Sequence, residues 1–296
     1  MSTQLLYLSQ IRTELRGIVI QQVDTASGQY NDVVIINQEW IFRFPRFRED
    51  VARTQQEVRV LEALQGRLPL PIPNPEVKRL DPPVPGLAFT GYRKLPGVPL
   101  SRGVLEAVQA PVRENIAGQL ARFLRALHGI PLAELGELGP LMIEPKDGRA
   151  DWEKLYGEVR EKLFPAMRPD ARKDISRHFE AYLDEPSLHH FDPCLRHGDF
   201  GGSNILWNPQ QGAATAVIDF TFCALGDPAL DLAAASTLGD EFFPSLLEEY
   251  APLPLTRGAL QARARFYRGV FALEEALDGL RLNDAEAYQA GMAQYF

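Results

Sequence analysis

An α+β fold in two parts is predicted by three features of the sequence. Short apolar runs bounded by turn residues fill the first ~90 residues, with a single stretch of helical spacing among them. From residue 100 onward the apolar residues recur mainly at helical spacing. Within that second part, a polar loop from His197 to Asn204 is followed by a strand, a turn, a second strand and a lone carboxylate, Asp219.

The elements follow in order. Gly17 to Ile20 leads into a first strand, and Val23 to Asn31 is a polar hairpin turn. Asp32 to Asn37 and Trp40 to Pro45 are strands; in the second, Ile41 and Arg43 share one face while Phe42 and Phe44 share the other. Between Glu49 and Gln65, Val51, Val58, Leu61 and Leu64 recur at helical spacing. Gly66 to Pro85 is rich in proline and reads as a rigid loop, before a strand over Leu87 to Tyr92. Ile116, Leu120, Phe123, Leu124 and Leu127 form one stripe of a helix that ends at His128-Gly129, which makes His128 a helix-end residue. Helices are also expected over Asp151 to Leu163 and Ala171 to Leu183. Asn204 to Trp207 and Ala216 to Ile218 make a hairpin around Asn208 to Gly212. Pro228 suits the first turn of a helix, with Asp227 as its cap.

Composition narrows the function. At 296 residues, 45% hydrophobic and 24% charged, the chain can bury a large core. A formal net charge of −8 argues against a nucleic-acid partner and is compatible with a cationic small molecule. The sequence has no apolar run of membrane-spanning length and no basic-then-apolar leader, so a soluble, cytoplasmic chain with no membrane partner is expected, a monomer by default. Its two cysteines, Cys194 and Cys223, make neither a disulfide framework nor a zinc site and are expected as buried small apolar residues.

The loop His197-Gly198-Asp199-Phe200-Gly201-Gly202-Ser203-Asn204 joins a His, a carboxylate and, five residues after it, a carboxamide. Phosphoryl transfer requires little covalent work of a protein. It needs an oriented nucleophile and countercharge for the phosphates. Asp199 is placed to accept a hydrogen bond from a substrate hydroxyl, and Asn204 and Asp219 supply hard oxygen ligands suited to Mg²⁺.

The runs HGDFGGSNILW from His197, VIDF from Val217 and GDPALDLA from Gly226 resemble the aminoglycoside phosphotransferase family of small-molecule kinases, nearest to its 2″ branch. The resemblance implies a bilobal, protein-kinase-like fold. Residues 1–92 would be a small antiparallel β lobe with one main helix that binds nucleotide, 93–97 a hinge, and 98–296 a larger helical lobe with the catalytic loop and substrate cleft. It also implies Mg²⁺-dependent transfer of the γ-phosphoryl group of ATP or GTP to a hydroxyl of a small molecule, an aminoglycoside first, as antibiotic-resistance enzymes do.

Position by position, Asp199 corresponds to the catalytic Asp and contacts substrate. Asn204 and Asp219 correspond to the metal ligands, and His197 and Asp231 support the catalytic loop. Arg43 stands where the family commonly has a phosphate-contacting Lys, with Glu57 as its partner and Arg46 as a nearby alternative. Ser27 and Gly28 would expose backbone N–H groups over the phosphates. Arg93 and Leu95 would meet a purine edge through their backbone, Tyr92 would close the back of that pocket, and Leu206 and Ile218 would sandwich the base. Asp240, Glu274 and Asp278 are candidates for holding substrate ammonium groups.

Three departures stand out: Arg43 for Lys; Thr221-Phe222 where the family often reads Gly-Asp; and Thr237 where the 2″ enzymes have Glu. The last two thin the acidic pocket, so another acceptor (a macrolide, an amino sugar or a metabolite alcohol) is the alternative, and a nucleotide-binding pseudokinase is a third reading.

Overall fold

The computed structural model describes residues 3–28, 30–135, 148–251 and 254–296. An N-terminal helix, α1 (Thr3–Glu14), precedes three strands, β1 (Val23–Ser27), β2 (Asn31–Ile36) and β3 (Trp40–Pro45). Helix α2 (Arg48–Leu64) follows, then β4 (Val77–Arg79) and β5 (Phe89–Arg93). The five strands form one antiparallel sheet in the order β1-β2-β3-β5-β4, with Ile35 opposite Ile41 and Arg43 opposite Thr90.

Strand alternation decides what each face of this sheet does. Phe42 and Phe44, with Val34, Ile36 and Phe89, bury one face against Tyr7 and Ile11 of α1. The rings stack there, Tyr7 on Phe44 at 4.0 Å and Phe44 on Phe89 at 4.7 Å between centroids. Each such ring contributes roughly 1.5–3 kcal/mol by burial. Arg43 points to the other face, toward α2, where Glu57 meets it. The apolar side of α2 does not join the sheet's core: Val60, Leu61 and Leu64 pack into the larger cluster of the helical part.

Beyond the sheet come β6 (Val98–Pro99), α3 (Arg102–Ala107), α4 (Ala110–His128), α5 (Leu132–Leu135), α6 (Arg149–Lys162) and α7 (Pro169–Leu183). The site-bearing segment holds β7 (Cys194–Arg196), β8 (Ile205–Asn208), β9 (Ala213–Val217) and β10 (Ala224–Gly226). β8 pairs with β6 and β9, and β7 with β10. Four helices close the chain: α8 (Ala229–Ser236), α9 (Phe242–Tyr250), α10 (Pro254–Leu282) and α11 (Ala285–Met292). The stripe on α4 is fully buried at Ile116, Leu120, Phe123, Leu124 and Leu127. Among the described residues no helix is long and apolar enough to cross a membrane.

One sequence expectation is corrected. Residues 17–20 lead into a strand, but residues 23–27, expected in a turn, are that strand, β1; Gln29 lies outside the described residues. β1 is an edge strand with four of its five residues exposed, so its polar composition is that of a turn. Helix α1 escaped the periodicity because only Tyr7 and Ile11 are buried along it. Both cysteines are buried and neither is in a disulfide.

Candidate active site

The loop that follows β7 hangs from a carboxylate. Asp231, in the first turn of α8, is fully buried. Its Oδ2 accepts the His197 N–H at 2.7 Å and its Oδ1 the Gly198 N–H at 2.8 Å. His128 Nε2 lies 2.9 Å from Oδ2, and its Nδ1 is 2.7 Å from the Tyr250 hydroxyl. Burial alone would raise the Asp231 carboxyl, but the hydrogen bond and charge of His128, with His197 and the Gly198 N–H, hold it below its usual range. His128, expected only as a helix end, is thus a brace for the loop.

His197 is fully buried. The Asp199 N–H donates to its Nδ1 at 3.2 Å, so Nε2 carries the proton and donates to the Ile218 carbonyl at 3.1 Å. One ring therefore ties the loop to the residue before Asp219. Gly198 sits at φ 86°, and a Cβ there would lie 2.1 Å from the Phe222 carbonyl oxygen. We expect Gly198→Ala to lower stability by more than about 1 kcal/mol in chemical denaturation and to disable turnover with it; unfolding and turnover like those of the unsubstituted chain would contradict this packing.

Asn204 Nδ2 donates to Asp199 Oδ2 at 2.8 Å and to the Asp199 carbonyl at 3.0 Å. The Ile218 N–H donates to the Asn204 carbonyl at 2.9 Å, which sets Asn204 beside the Asp219 segment. Burial is the main cause that lifts the Asp199 carboxyl above its usual range; His197 opposes it and Asp219 adds to it. Asp219 turns out of β9 at φ 63°, a left-handed conformation that Asp tolerates. Burial opposes its charge, yet Arg43 and the hydrogen bond from Thr221 hold its carboxyl below the usual range.

Arg43 Nη1 donates to Glu57 Oε1 at 2.6 Å and Nη2 to Asp219 Oδ1 at 2.9 Å, so the three side chains form one cluster in which Arg43 and Glu57 are buried and Asp219 is partly exposed. Burial disfavours the guanidinium charge, but Glu57 and Asp219 outweigh it and hold Arg43 protonated. The Phe220 N–H also donates to Glu57 Oε1, at 3.1 Å. Tyr92 is buried next to this cluster, and that burial pushes its hydroxyl up to about 12.

Gly28 differs from the expectation. The Gly28 N–H is committed to the Asn31 carbonyl at 2.8 Å, and Ser27 Oγ donates to Asp32 Oδ1 at 2.8 Å. A Gly28 N–H engaged in this way is not free to meet a phosphate. Residues 93–97 are tied to both sides: the Lys94 N–H donates to the Glu39 carbonyl at 2.8 Å, and Thr215 Oγ1 to the Pro96 carbonyl at 2.6 Å. Arg93 is exposed and lies over the Trp40 ring, 4.0 Å from its centroid. Leu95 is partly buried, Leu206 sits in β8 opposite Pro99 and Ala216, and Ile218 directly precedes Asp219.

Asp199 and Gly198 open into a cleft of about 850 Å³. Gly28 and Tyr30 line it from the sheet side, and Glu274 and Asp278 from α10. Asp240 does not line it; this residue is exposed and pairs with Arg102 at 3.5 Å and Arg268 at 3.6 Å. Charge in the lining is nearly balanced, since Arg46, Arg53, Arg196 and Arg281 stand with Asp199, Glu274, Glu275, Asp278 and Asp284. Thr237 and Phe222 are both in the wall, as are Trp152 and Phe271. The sequence did not reveal these aromatic walls, because Trp152 lies on a helix face indistinguishable from an ordinary core face. Among the described residues, the buried Trp152 Nε1–H has no hydrogen-bond partner.

Comparison with known proteins gives consistent matches. The model of a family described as a phosphotransferase enzyme family (APH) matches residues 22–267. Viomycin phosphotransferase of Streptomyces vinaceus is 31% identical over 290 residues, 95% of each chain. The solved GDP and kanamycin complex of APH(2")-IIia superposes with a TM-score of 0.87 at 25% identity, covering 98% of this chain and 97% of the other. A macrolide 2'-phosphotransferase type I shares the fold, with a TM-score of 0.75 at 23% identity over 99% of this chain and 96% of the other.

Proposed function

This chain belongs to the phosphotransferase enzyme family and is a small-molecule kinase with a nucleotide as phosphoryl donor; on that premise we propose that Asp199 receives the acceptor hydroxyl and that the acceptor is a hydroxylated, cationic antibiotic of the aminoglycoside class. The observation that carries this reading is the Asp199 carboxylate, held at 2.8 Å by Asn204 and opening into a cleft that Glu274 and Asp278 also line. Asp199 would accept the hydroxyl's hydrogen bond and aim its oxygen at the γ-phosphate of ATP or GTP. His197 and Asp231 would keep that loop in place.

We take residues 1–92 as the nucleotide lobe, 93–97 as the hinge and 98–296 as the lobe that holds the acceptor. Leu95, Tyr92, Leu206 and Ile218 would surround the base, and Arg43, held by Glu57, would meet the phosphates. Mg²⁺ fits the donor set between the lobes. Asn204 spends its amide nitrogen on Asp199, which leaves its carbonyl oxygen as the ligand end, and Asp219 brings a carboxylate. Mg²⁺ usually keeps several water and phosphate ligands, so one or two protein ligands suffice. When bound, Mg²⁺ would neutralise charge on the phosphates.

A second reading of the acceptor rests on the 31% identity to viomycin phosphotransferase and on Phe222 and Thr237 in the cleft wall. Nearly balanced charge fits an acceptor with fewer ammonium groups than a dense polycation. The test is coupled nucleotide turnover with ATP and GTP, with Mg²⁺, across kanamycin, gentamicin, viomycin and a macrolide, with mass detection of product. Phosphorylated kanamycin or gentamicin supports the first reading, and phosphorylated viomycin alone the second. Turnover with the macrolide alone discards both while keeping the chemistry. Nucleotide bound but never turned over would favour a pseudokinase.

A further inference from the structure

Two of this chain's departures, Arg43 and Thr221, meet in space. The guanidinium carries five N–H donors in a fixed fork. Nη1 donates to Glu57, while Nη2 donates both to Asp219 Oδ1 at 2.9 Å and to Thr221 Oγ1 at 2.8 Å, which uses both of its hydrogens. The Thr221 hydroxyl in turn donates to Asp219 Oδ1 at 2.6 Å and lies 3.5 Å from Glu57 Oε2. The Thr221 N–H also reaches Asp219 Oδ1, at 3.4 Å. Every hydrogen bond from a described residue to the Asp219 side chain therefore ends on Oδ1. Asp219 is also the member of this cluster that reaches solvent: its side chain is 39% exposed, against 9% for Arg43 and 5% for Glu57.

We infer that Thr221 is a positioning residue for the metal-bound nucleotide: its hydroxyl takes the second Nη2 hydrogen of Arg43 and helps pin Asp219 through Oδ1, so that Oδ2 is presented to the cation. This deepens the reading of Asp219 as a Mg²⁺ ligand and rests on it. The chemistry shows how the two side chains serve each other in this chain. A lysine at position 43 would bring a compact charge with three rotatable donors, readily satisfied by Glu57, Asp219 and a phosphate. A buried guanidinium has more donors in fixed directions, and each one left without an acceptor is unfavourable. A glycine at position 221 would offer no side-chain acceptor to Nη2, and Asp219 would lose the shortest of the donors that hold its Oδ1.

Four full-length variants test this: Thr221→Val, Thr221→Ser, Arg43→Lys, and Arg43→Lys with Thr221→Val. Binding of a non-hydrolysable ATP or GTP analogue is measured by calorimetry at stepped Mg²⁺ concentrations. Thr221→Val keeps the shape and removes the hydroxyl, so the Mg²⁺ needed for half-saturation should rise roughly tenfold or more, as when a partner of a metal ligand is lost. Thr221→Ser keeps the hydroxyl and should stay near the unsubstituted value. In the Arg43→Lys background, Thr221→Val should have a smaller effect, because only the direct bond to Asp219 is then lost. Denaturant midpoints of the nucleotide-free proteins should show the same dependence of one substitution on the other. Equal effects of Thr221→Val in both backgrounds, or serine as harmful as valine, would overturn the inference while leaving the proposed function standing. Analogue binding by the unsubstituted chain with no dependence on Mg²⁺ would overturn the metal reading of Asp219, and this inference with it.

Discussion

Asp199→Asn should reduce turnover by about 10²–10⁴-fold, the usual share of a positioned acid or base, and leave nucleotide affinity and folding stability close to those of the unsubstituted chain. Asparagine keeps the size of the side chain and, with its oxygen turned toward Asn204 Nδ2, keeps that 2.8 Å hydrogen bond. The backbone hydrogen bonds of the loop, from the His197 and Gly198 N–H groups to Asp231, do not involve the residue 199 side chain. What is lost is the anionic acceptor for the hydroxyl proton. The folded chain gains nothing from the charge at this position, because burial raises the carboxyl above its usual range and Asp219 repels it. Neutralising it is thus expected to leave denaturant midpoints unchanged or slightly raised. Steady-state kinetics beside calorimetry with nucleotide separate the two effects. Turnover within a few-fold of the parent would remove Asp199 from the chemistry. A matching loss of nucleotide affinity would instead make it part of the nucleotide site.

How far the sequence carries the fold depends on the range of the interactions involved. The alternation of Ile41, Phe42, Arg43 and Phe44 is local, and it placed Arg43 opposite the aromatic core of the sheet, where the structure has it. The stripe on α4 and the hairpin of β8 and β9 are equally local and are present. The links within the candidate site are not local. His128 meets Asp231 across 103 positions, and Arg43 meets Thr221 across 178. No periodicity reports such pairs; only a resemblance can suggest them, and it suggested no partner for His128 or Thr221. The cleft wall was hidden for another reason. Trp152 and Phe271 belong to helices whose apolar faces look the same whether they border a core or a ligand. Charged positions were equally ambiguous: Glu274 and Asp278 line the cleft, whereas Asp240 is engaged by Arg102 and Arg268 outside it.

Asp231→Ala should produce the largest loss of stability among the substitutions considered, about 3–5 kcal/mol in denaturant unfolding at unchanged m-value, with turnover lost as the loop comes free. The carboxylate is fully buried and serves three donors: the N–H groups of His197 and Gly198, and His128 Nε2. Alanine leaves all three without an acceptor in a place that water does not reach, and each buried unsatisfied group costs about 1–3 kcal/mol. Asparagine is no rescue. It has one acceptor oxygen for donors that approach both Oδ1 and Oδ2, so its amide nitrogen would be forced against a second N–H. The pH dependence has a definite sign. Asp231 titrates lower in the folded chain than the unfolded carboxyl, which ionises at about 3.9. Its contribution is therefore fully present above that unfolded value and is lost as the pH falls through the depressed folded value. The parent should lose stability relative to Asp231→Ala only in that acid window, so the gap between the two unfolding free energies should be constant near neutrality and narrow below about pH 4. A neutral-pH gap under about 1 kcal/mol, within the range of an ordinary surface substitution, would show that the catalytic loop does not depend on this carboxylate.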